Sequence, residues 1–169
     1  SFIFDYKMNE NPIKIAVFDD NNYRRDSLCM LVNSSPRMKC TGTFFDCSNV
    51  VADVRKAAPD VVLMDIDMPE LDGIDTVAIA KTVYPSIRFL MLTVYDDEDL
   101  LFRAIKAGAS GFLLKDEKIN VIEQHIWNLY KGIDAPMSPS IAQKALMLIH
   151  RSPAKGEDKD ENTGQLPIE

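Results

Sequence analysis

Short apolar runs alternate with amphipathic stretches along most of the chain. Runs such as 13–18 and 61–64 are apolar at nearly every position, which is typical of strands covered on both faces. Pro59, Pro85 and Gly108 each stand between a helical stretch and the next apolar run, where a helix must end. We therefore predict an α/β fold, a (βα)5 doubly wound parallel sheet. The predicted strands are 13–18, 38–45, 61–64, 87–92 and 111–114, and the predicted helices are 23–32, 50–58, 74–83, 97–107 and 117–130.

The pattern changes after residue 132. Ser138 followed by Pro139 indicates a helix N-cap and first helical position, so we predict an extra C-terminal helix up to about residue 150. This helix would carry a broad apolar stripe that must pack against another element, formed by Ile141, Ala142, Ala145, Leu146, Leu148 and Ile149. The predicted organisation is an N-terminal extension at 1–12, with Met8 as a candidate natural start, a domain at 13–132, a linker helix at 133–150 and a polar tail at 151–169.

The acidic net charge of the chain bears on whether it binds nucleic acid or cations. The chain has 169 residues, of which 46% are hydrophobic, and a formal net charge of −7. This length and composition suffice for one domain with a substantial core. Since unspecific nucleic-acid binding depends on Lys and Arg, the acidic charge argues against DNA binding by this chain itself and favours a bound cation.

Cysteine usage and hydropathy predict the compartment. The three cysteines, Cys29, Cys40 and Cys47, form neither a CxxC motif nor an even set for disulfides, which favours a reducing cytoplasm. No apolar run approaches the roughly 18 residues that a bilayer span needs, and the first residues lack the features of a signal peptide. We therefore expect a cytoplasmic protein without a membrane partner.

Polar residues follow four of the five predicted strands. Asp19 and Asp20 follow the first strand, Asp65 the third, Thr93 the fourth and Lys115 the fifth. Ligands of open parallel sheets bind outside these carboxyl ends. Each residue alone is equally well explained as a cap of the next helix, but four strands delivering polar groups to one edge favour a functional site.

These residue types match the chemistry of phosphoryl transfer. Converging carboxylates repel one another, and a hard divalent cation such as Mg²⁺ is the usual remedy. An Asp can act as the nucleophile, while the Lys115 ammonium and the Thr93 hydroxyl can hold the oxygens of the transferring group. No general base is needed, because a carboxylate is already an anion at neutral pH.

Taken as a set, these motifs closely resemble the receiver domain of two-component response regulators over residues 13–132. The matching motifs are Asp19-Asp20, Asp65 with Met68-Pro69 and Asp72-Gly73, Thr93, and Lys115 at the end of Gly-Ala-Ser-Gly-Phe-Leu-Leu-Lys. The resemblance implies a flavodoxin/CheY-like fold. It implies a signalling protein rather than an enzyme, in which any catalysis is limited to its own phosphotransfer and dephosphorylation.

The resemblance also implies roles for the site residues. Asp65 would accept a phosphoryl group from a sensor histidine kinase, in a reaction that depends on Mg²⁺ or Mn²⁺. Asp20 would bind the metal directly, Asp19 through water and Asp67 through its backbone carbonyl, with Asp65 completing the site. Thr93 and Lys115 would contact the phosphoryl oxygens.

Residues 108–116 and 136–142 resemble in particular the LuxR/NarL subgroup of response regulators. That subgroup implies DNA binding and control of transcription through a C-terminal helix-turn-helix domain, which is not present in this chain and to which the tail at 151–169 would lead. Phosphorylation would repack the face made by helix four, strand five and helix five, and so favour a homodimer.

Two positions depart from the family pattern. Val94, after the switch threonine, stands where a small residue is common, and its branched side chain would narrow access to Asp65. Phe112 occupies the aromatic switch position without the hydroxyl of the more common tyrosine, and an ordinary core residue explains it as well.

Two alternatives remain. One is a receiver fold that serves as an interaction module without phosphorylation, against which the survival of all five site residues argues. The other is a phosphatase similar to the haloacid dehalogenases, with Asp65 and Asp67 as a catalytic dyad. Pro69 and the position of Asp65 on the third strand argue against it.

Overall fold

The computed structural model describes residues 11–68, 72–133 and 139–151. Five parallel strands form one sheet in the order β2-β1-β3-β4-β5. The strands are β1 (Ile13–Phe18), β2 (Met38–Phe44), β3 (Val61–Asp65), β4 (Arg88–Thr93) and β5 (Gly111–Leu114). The helices are α1 (Asn22–Ser34), α2 (Val50–Ala57), α3 (Gly73–Val83), α4 (Glu98–Ala107), α5 (Ile119–Tyr130) and α6 (Pro139–Arg151).

The sheet is covered on both faces, as the apolar strands predict. On one face, α2, α3 and α4 pack against strand residues that include Phe18, Met64 and Met91. On the other face, α1 and α5 pack against the alternate residues, among them Val17 and Leu63. Because successive side chains of a strand point to opposite faces, central strands that contribute to two cores are apolar at nearly every position. The predicted doubly wound parallel sheet is thereby confirmed, and its strand order is the flavodoxin-like one.

Local hydrogen bonds explain why two helices begin later than predicted. α4 begins one residue later than predicted, because Asp97 is its N-cap and accepts hydrogen bonds from the backbone N–H groups of Asp99 at 2.8 Å and Leu100 at 3.3 Å. α5 begins at Ile119 rather than at residue 117, since the Glu117 N–H bonds back to the Leu114 carbonyl in a turn. β3 includes Asp65, one residue more than predicted.

α6 packs against α4, as its apolar character predicts, but with a narrower contact. Ala145 packs against the core beneath α4. Lys144 Nζ lies 2.9 Å from both the carboxylate Oδ2 and the backbone carbonyl of Asp96, in the loop after β4. Leu146 is 58% exposed, so the prediction of a broad apolar stripe was wrong at this position. The predicted cap at Ser138, the side chains of Ile141, Leu148 and Ile149, and the tail beyond residue 151 lie outside the described residues.

Within the described ranges, no helix combines the length and the apolar character that crossing a bilayer requires.

Candidate functional site

Four strands bring the predicted site residues to one edge of the sheet. Asp19 directly follows β1, Asp65 ends β3, Thr93 ends β4 and Lys115 follows β5. The strands are in register there, since Asp65 pairs with Leu92. Asp19 and Asp65 are each 1% exposed and Thr93 is fully buried. The predicted convergence at the carboxyl ends is therefore what the structure shows.

Three carboxylates form an acidic pocket at this edge. Asp19, Asp20 and Asp65 each offer an oxygen, and these oxygens lie within 4.8 Å of one another. Asp19 and Asp65 are buried, whereas Asp20 is exposed and opens the pocket to solvent. Oδ2 of Asp65 is buried and has no hydrogen-bond partner among the described residues. An all-oxygen donor set with an unsatisfied buried carboxylate oxygen fits a hard divalent cation such as Mg²⁺.

The other oxygen of Asp65 is fully engaged. Oδ1 lies 2.6 Å from Nζ of Lys115, whose side chain is 7% exposed. The same oxygen accepts a hydrogen bond of 3.0 Å from the backbone N–H of Asp67. The two oxygens of Asp65 are therefore in different environments: Oδ1 is paired with an ammonium, and Oδ2 has no hydrogen bond among the described residues.

Burial and like charges disfavour the ionised form of two pocket carboxyls. Burial raises the pKa of Asp19, and the charge of Asp65 raises it further, although the Asn21 N–H, 2.9 Å from Oδ1 of Asp19, acts in the opposite direction. Burial likewise raises the pKa of Asp67, with the charge of Asp65 as the next cause. A cation in the pocket would lower both pKa values.

Thr93 connects the pocket to the loop after β4. Its Oγ1 accepts a hydrogen bond of 3.1 Å from the backbone N–H of Tyr95. Val94 and Tyr95 are exposed. The expected effect of Val94 on access to Asp65 stays a prediction.

Phe112 lies in the hydrophobic core rather than at the surface. It is 1% exposed and packs in the same core cluster as Phe89 and Leu101. This environment matches the core interpretation of the position, and its role as a switch stays a prediction.

Arg24 is a pocket residue that sequence reasoning missed. Its Nη1 lies 3.4 Å from Oδ2 of Asp19 and 3.8 Å from Oδ2 of Asp65. The residue stands in the first turn of α1, where the helix dipole disfavours a cation. That unfavourable placement, a few residues after an acidic pair, is the sequence signal that points to Arg24.

Gly73 lets the first turn of α3 approach the back of the pocket. A Cβ atom at this position would lie 2.1 Å from the backbone oxygen of Asp65. The Gly73 N–H instead donates a 3.1 Å hydrogen bond to the Ile66 carbonyl. The Asp-Gly motif thus supplies a cap, Asp72, and the space that the end of β3 requires.

The chain matches a family model and a set of curated relatives. The model for the response regulator receiver domain matches residues 15–127. The transcriptional regulatory protein DegU of Brevibacillus brevis is 28% identical over 163 residues, which cover 96% of this chain and 69% of the relative. The uncharacterized transcriptional regulatory protein YxjL of Bacillus subtilis (strain 168) is 34% identical over 109 residues, 64% of this chain and 50% of the relative. The chain thus spans about half to two thirds of the relatives it matches.

Solved structures show the same fold. A LuxR-family two-component response regulator from Aurantimonas sp. SI85-9A1 superimposes with a TM-score of 0.76 at 26% identity, covering 83% of this chain and 99% of that chain. The signal receiver domain of the putative response regulator NarL from Mycobacterium tuberculosis gives a TM-score of 0.68 at 27% identity, covering 73% of this chain and 99% of that chain.

Proposed function

This chain belongs to the response regulator receiver domain family, and from that premise we propose that Asp65 is its phosphoacceptor. The donor would be a phosphohistidine of a sensor histidine kinase. A carboxylate oxygen of Asp65 forms a bond to phosphorus, the bond from phosphorus to the histidine nitrogen breaks, and the imidazole leaves with the electron pair. The product is an acyl phosphate on a protein of the LuxR/NarL type of two-component regulator.

The observation that carries this proposal is the divided environment of the Asp65 carboxylate. A buried carboxylate with a purely structural role would have hydrogen bonds to both oxygens, yet Oδ2 of Asp65 has none in the described part of the chain and only a long 3.8 Å contact with Nη1 of Arg24. Oδ1 is held by Lys115 at 2.6 Å, which fixes the orientation of the group. A buried, oriented and half-satisfied carboxylate suits a nucleophile better than a core ion pair.

The acidic pocket supplies ligands for a divalent cation, which we propose to be Mg²⁺ or Mn²⁺. Asp20 and Asp65 would bind it directly, Asp19 through water and Asp67 through its backbone carbonyl. When bound, the cation neutralises negative charge on the transferring group. Because Asp20 is exposed, the cation can reach the pocket from solvent.

Lys115 and Thr93 would hold the phosphoryl group once it is attached. The Lys115 ammonium, now 2.6 Å from Oδ1 of Asp65, would pair with a phosphoryl oxygen. The Thr93 hydroxyl accepts from the Tyr95 N–H and keeps its own proton to donate to another phosphoryl oxygen. If Thr93 moves toward that oxygen, the loop attached to it through the Tyr95 N–H would rearrange. Because a phosphoryl group biases an existing equilibrium, this rearrangement is a population shift.

The loop after β4 offers a path from the pocket to the C-terminal helix. Lys144 of α6 binds both the carboxylate and the carbonyl of Asp96 in this loop. A shift of residues 94–97 would therefore alter the docking of α6 and the face formed by α4, β5 and α5. We propose that this face controls homodimerisation, and that DNA is bound by a helix-turn-helix domain outside this sequence.

Phosphorylation of three matched proteins tests the proposal. Wild type, Asp65→Asn and Asp26→Asn, which removes an exposed carboxylate of α1, are incubated with acetyl phosphate and Mg²⁺. Intact-mass spectrometry is expected to show one hydroxylamine-labile phosphoryl group on wild type and Asp26→Asn and none on Asp65→Asn. No labelling of the wild type would favour the interaction module that works without phosphorylation. Sustained hydrolysis of phosphate esters would favour the phosphatase alternative.

A further inference from the structure

We propose that Arg24 is a resident counter-cation of the acidic pocket, which a divalent cation must displace in order to bind. This inference deepens the proposed function and rests on it, since it assumes that the carboxylates around Asp65 hold a metal. It assigns to Arg24 a role in setting the metal affinity of the site. The role is that of a positioning residue, because Arg24 acts through the carboxylates.

The guanidinium and a divalent cation compete for the same oxygens. Nη1 of Arg24 approaches Oδ2 of Asp19 at 3.4 Å and Oδ2 of Asp65 at 3.8 Å. The second of these is the buried oxygen without a hydrogen bond in the described residues. Lys115 neutralises Oδ1 of Asp65, so the guanidinium supplies positive charge on the Oδ2 side, where a cation would otherwise sit.

Arg24 is held loosely enough to leave. Charge-assisted N–H···O bonds are about 2.7–2.9 Å long, and both contacts of Nη1 are longer than that. The Arg24 side chain is 33% exposed, whereas the two carboxylates it approaches are 1% exposed. The guanidinium therefore lies at the solvent side of the pocket and can swing into water without moving the backbone.

Arg25, the next residue, provides a matched contrast. Its Nη1 donates a 2.9 Å hydrogen bond to the backbone carbonyl of Asp19, and its Nη2 donates to Oδ1 of Asn22 at 2.6 Å. Arg25 therefore binds the backbone and a neutral amide rather than the oxygens a metal would use. The two arginines carry equal charge next to one pocket and differ in which atoms they contact.

The placement of Arg24 has an energetic consequence for metal binding. To contact Asp19 and Asp65, a divalent cation must first break the attraction of both carboxylates to Arg24. If the guanidinium stays nearby, its positive charge also repels the cation. Removal of Arg24 should therefore tighten metal binding. Removal of an arginine that does not touch the carboxylates should change the metal affinity less, because solvent and salt screen its charge.

Direct metal titration tests the inference without any phosphorylation assay. Mn²⁺ binding to wild type, Arg24→Gln and Arg25→Gln is measured from the electron paramagnetic resonance signal of the free ion, with Asp20→Asn as the variant that lacks a metal ligand. We expect Arg24→Gln to lower the Kd for Mn²⁺ about three- to fivefold, as the loss of a partly exposed ion pair implies. Arg25→Gln should change the Kd by less than about twofold.

Thermal unfolding of the same proteins supplies a second readout. Without metal, Arg24→Gln should unfold at a lower temperature than the wild type, because two buried carboxylates lose a counter-ion. Saturating Mn²⁺ should close that gap, since the metal then neutralises the pocket in both proteins.

Several results would overturn the inference. An unchanged or raised Kd in Arg24→Gln would show that Arg24 does not compete with the metal. An equal decrease of the Kd in Arg25→Gln would show that the change follows from the net charge near the pocket and not from the contacts of Arg24. Either result, with binding still abolished in Asp20→Asn, leaves the proposed metal site intact. Absence of Mn²⁺ binding in every protein would overturn both the inference and the metal site of the proposed function.

Discussion

Leu63 and Asp65 lie two residues apart on β3 and are almost equally buried, at 0% and 1% exposure. Leu63 is surrounded by apolar side chains from both neighbouring strands and from α1 and α5. Asp65 is surrounded by two carboxylates, an ammonium and a guanidinium. The degree of burial therefore does not distinguish the two residues. They differ in the sign of the free energy of burial, which is favourable for the leucine side chain and unfavourable for the carboxylate.

The interior and the end of this strand thus have opposite energetic roles. Burial of Leu63 stabilises the fold through the hydrophobic effect and close packing. Burial of several carboxylates at the strand end works against folding unless cations compensate them. We infer that packing of the strand interiors offsets the cost of burying the pocket carboxylates. Variants of Leu63 and Asp19 test this contrast directly, and a variant of His125 extends it to a buried polar group outside the sheet.

The largest expected effect is on the interior. Leu63→Ala should lower the free energy of unfolding by about 3 kcal/mol, because it removes buried methyl groups and leaves a cavity. Denaturant unfolding measures this loss. Phosphoryl incorporation per folded molecule should match the wild type, with Leu63→Met as the volume-matched control. A folded Leu63→Ala protein that cannot be labelled would show that interior packing also tunes the pocket.

A substitution at the strand end is expected to change the free energy of unfolding in the opposite direction. Asp19→Asn should raise the free energy of unfolding in the absence of divalent cations, since it removes a charge that burial disfavours. The asparagine Oδ1 can still accept the Asn21 N–H. Denaturant unfolding with and without Mg²⁺ is the measurement, and Mg²⁺ should stabilise the wild type more than the variant. A variant less stable than the wild type without Mg²⁺ would contradict the contrast.

The smallest effect concerns a buried polar group far from the pocket, His125. Its Nδ1 is buried without a hydrogen-bond partner in the described ranges, and burial lowers the pKa of His125. Below a pH of about 6.5 the unfolded chain then binds the proton more readily than the folded chain, so stability falls as the pH falls through that window. His125→Gln should reduce this loss by about half a kcal/mol or less, a value discounted for the partial exposure of the ring.

Chemical denaturation between pH 7 and about pH 5 measures the effect of His125. The variant His150→Gln, at an exposed position of α6, is the matched control. Equal pH profiles for wild type and His125→Gln would mean that burial of this ring costs the fold nothing measurable.

The sheet and its polar edge were accessible from sequence because they follow from simple periodicities. A run that is apolar at every position has to be covered on both faces, and the first polar residue after it has to lie at the strand end. That reasoning placed Asp19, Asp65, Thr93 and Lys115 correctly beside one another. Boundaries at Asp97 and Glu117 were less accessible, because caps and turns depend on single hydrogen bonds.

The contacts of Arg24 and of α6 could not be predicted from the hydrophobic periodicity of the sequence. The path of the Arg24 side chain back over Asp19 depends on rotamers and on the turn between β1 and α1, which leave no repeating pattern. In α6, the exposed Leu146 shows that an apolar residue at helical spacing need not face the core. The contact between Lys144 and Asp96 joins residues 48 positions apart, and no local rule predicts it.

The distribution of the pocket over four strand ends also bears on how the domain folds. β1, β3, β4 and β5 each contribute one part. In the chain, α1, β2 and α2 separate β1 from β3, and one crossover helix joins β3 to β4 and another joins β4 to β5. No hairpin or single βαβ unit contains the whole constellation, so it exists only after the most sequence-distant pairings have formed. The proposed metal ligands all lie at the ends of β1 and β3, so metal binding needs only those strands. Phosphoryl acceptance assisted by Thr93 and Lys115 requires the complete sheet, and a nascent chain still short of β5 would therefore be a poor phosphoacceptor.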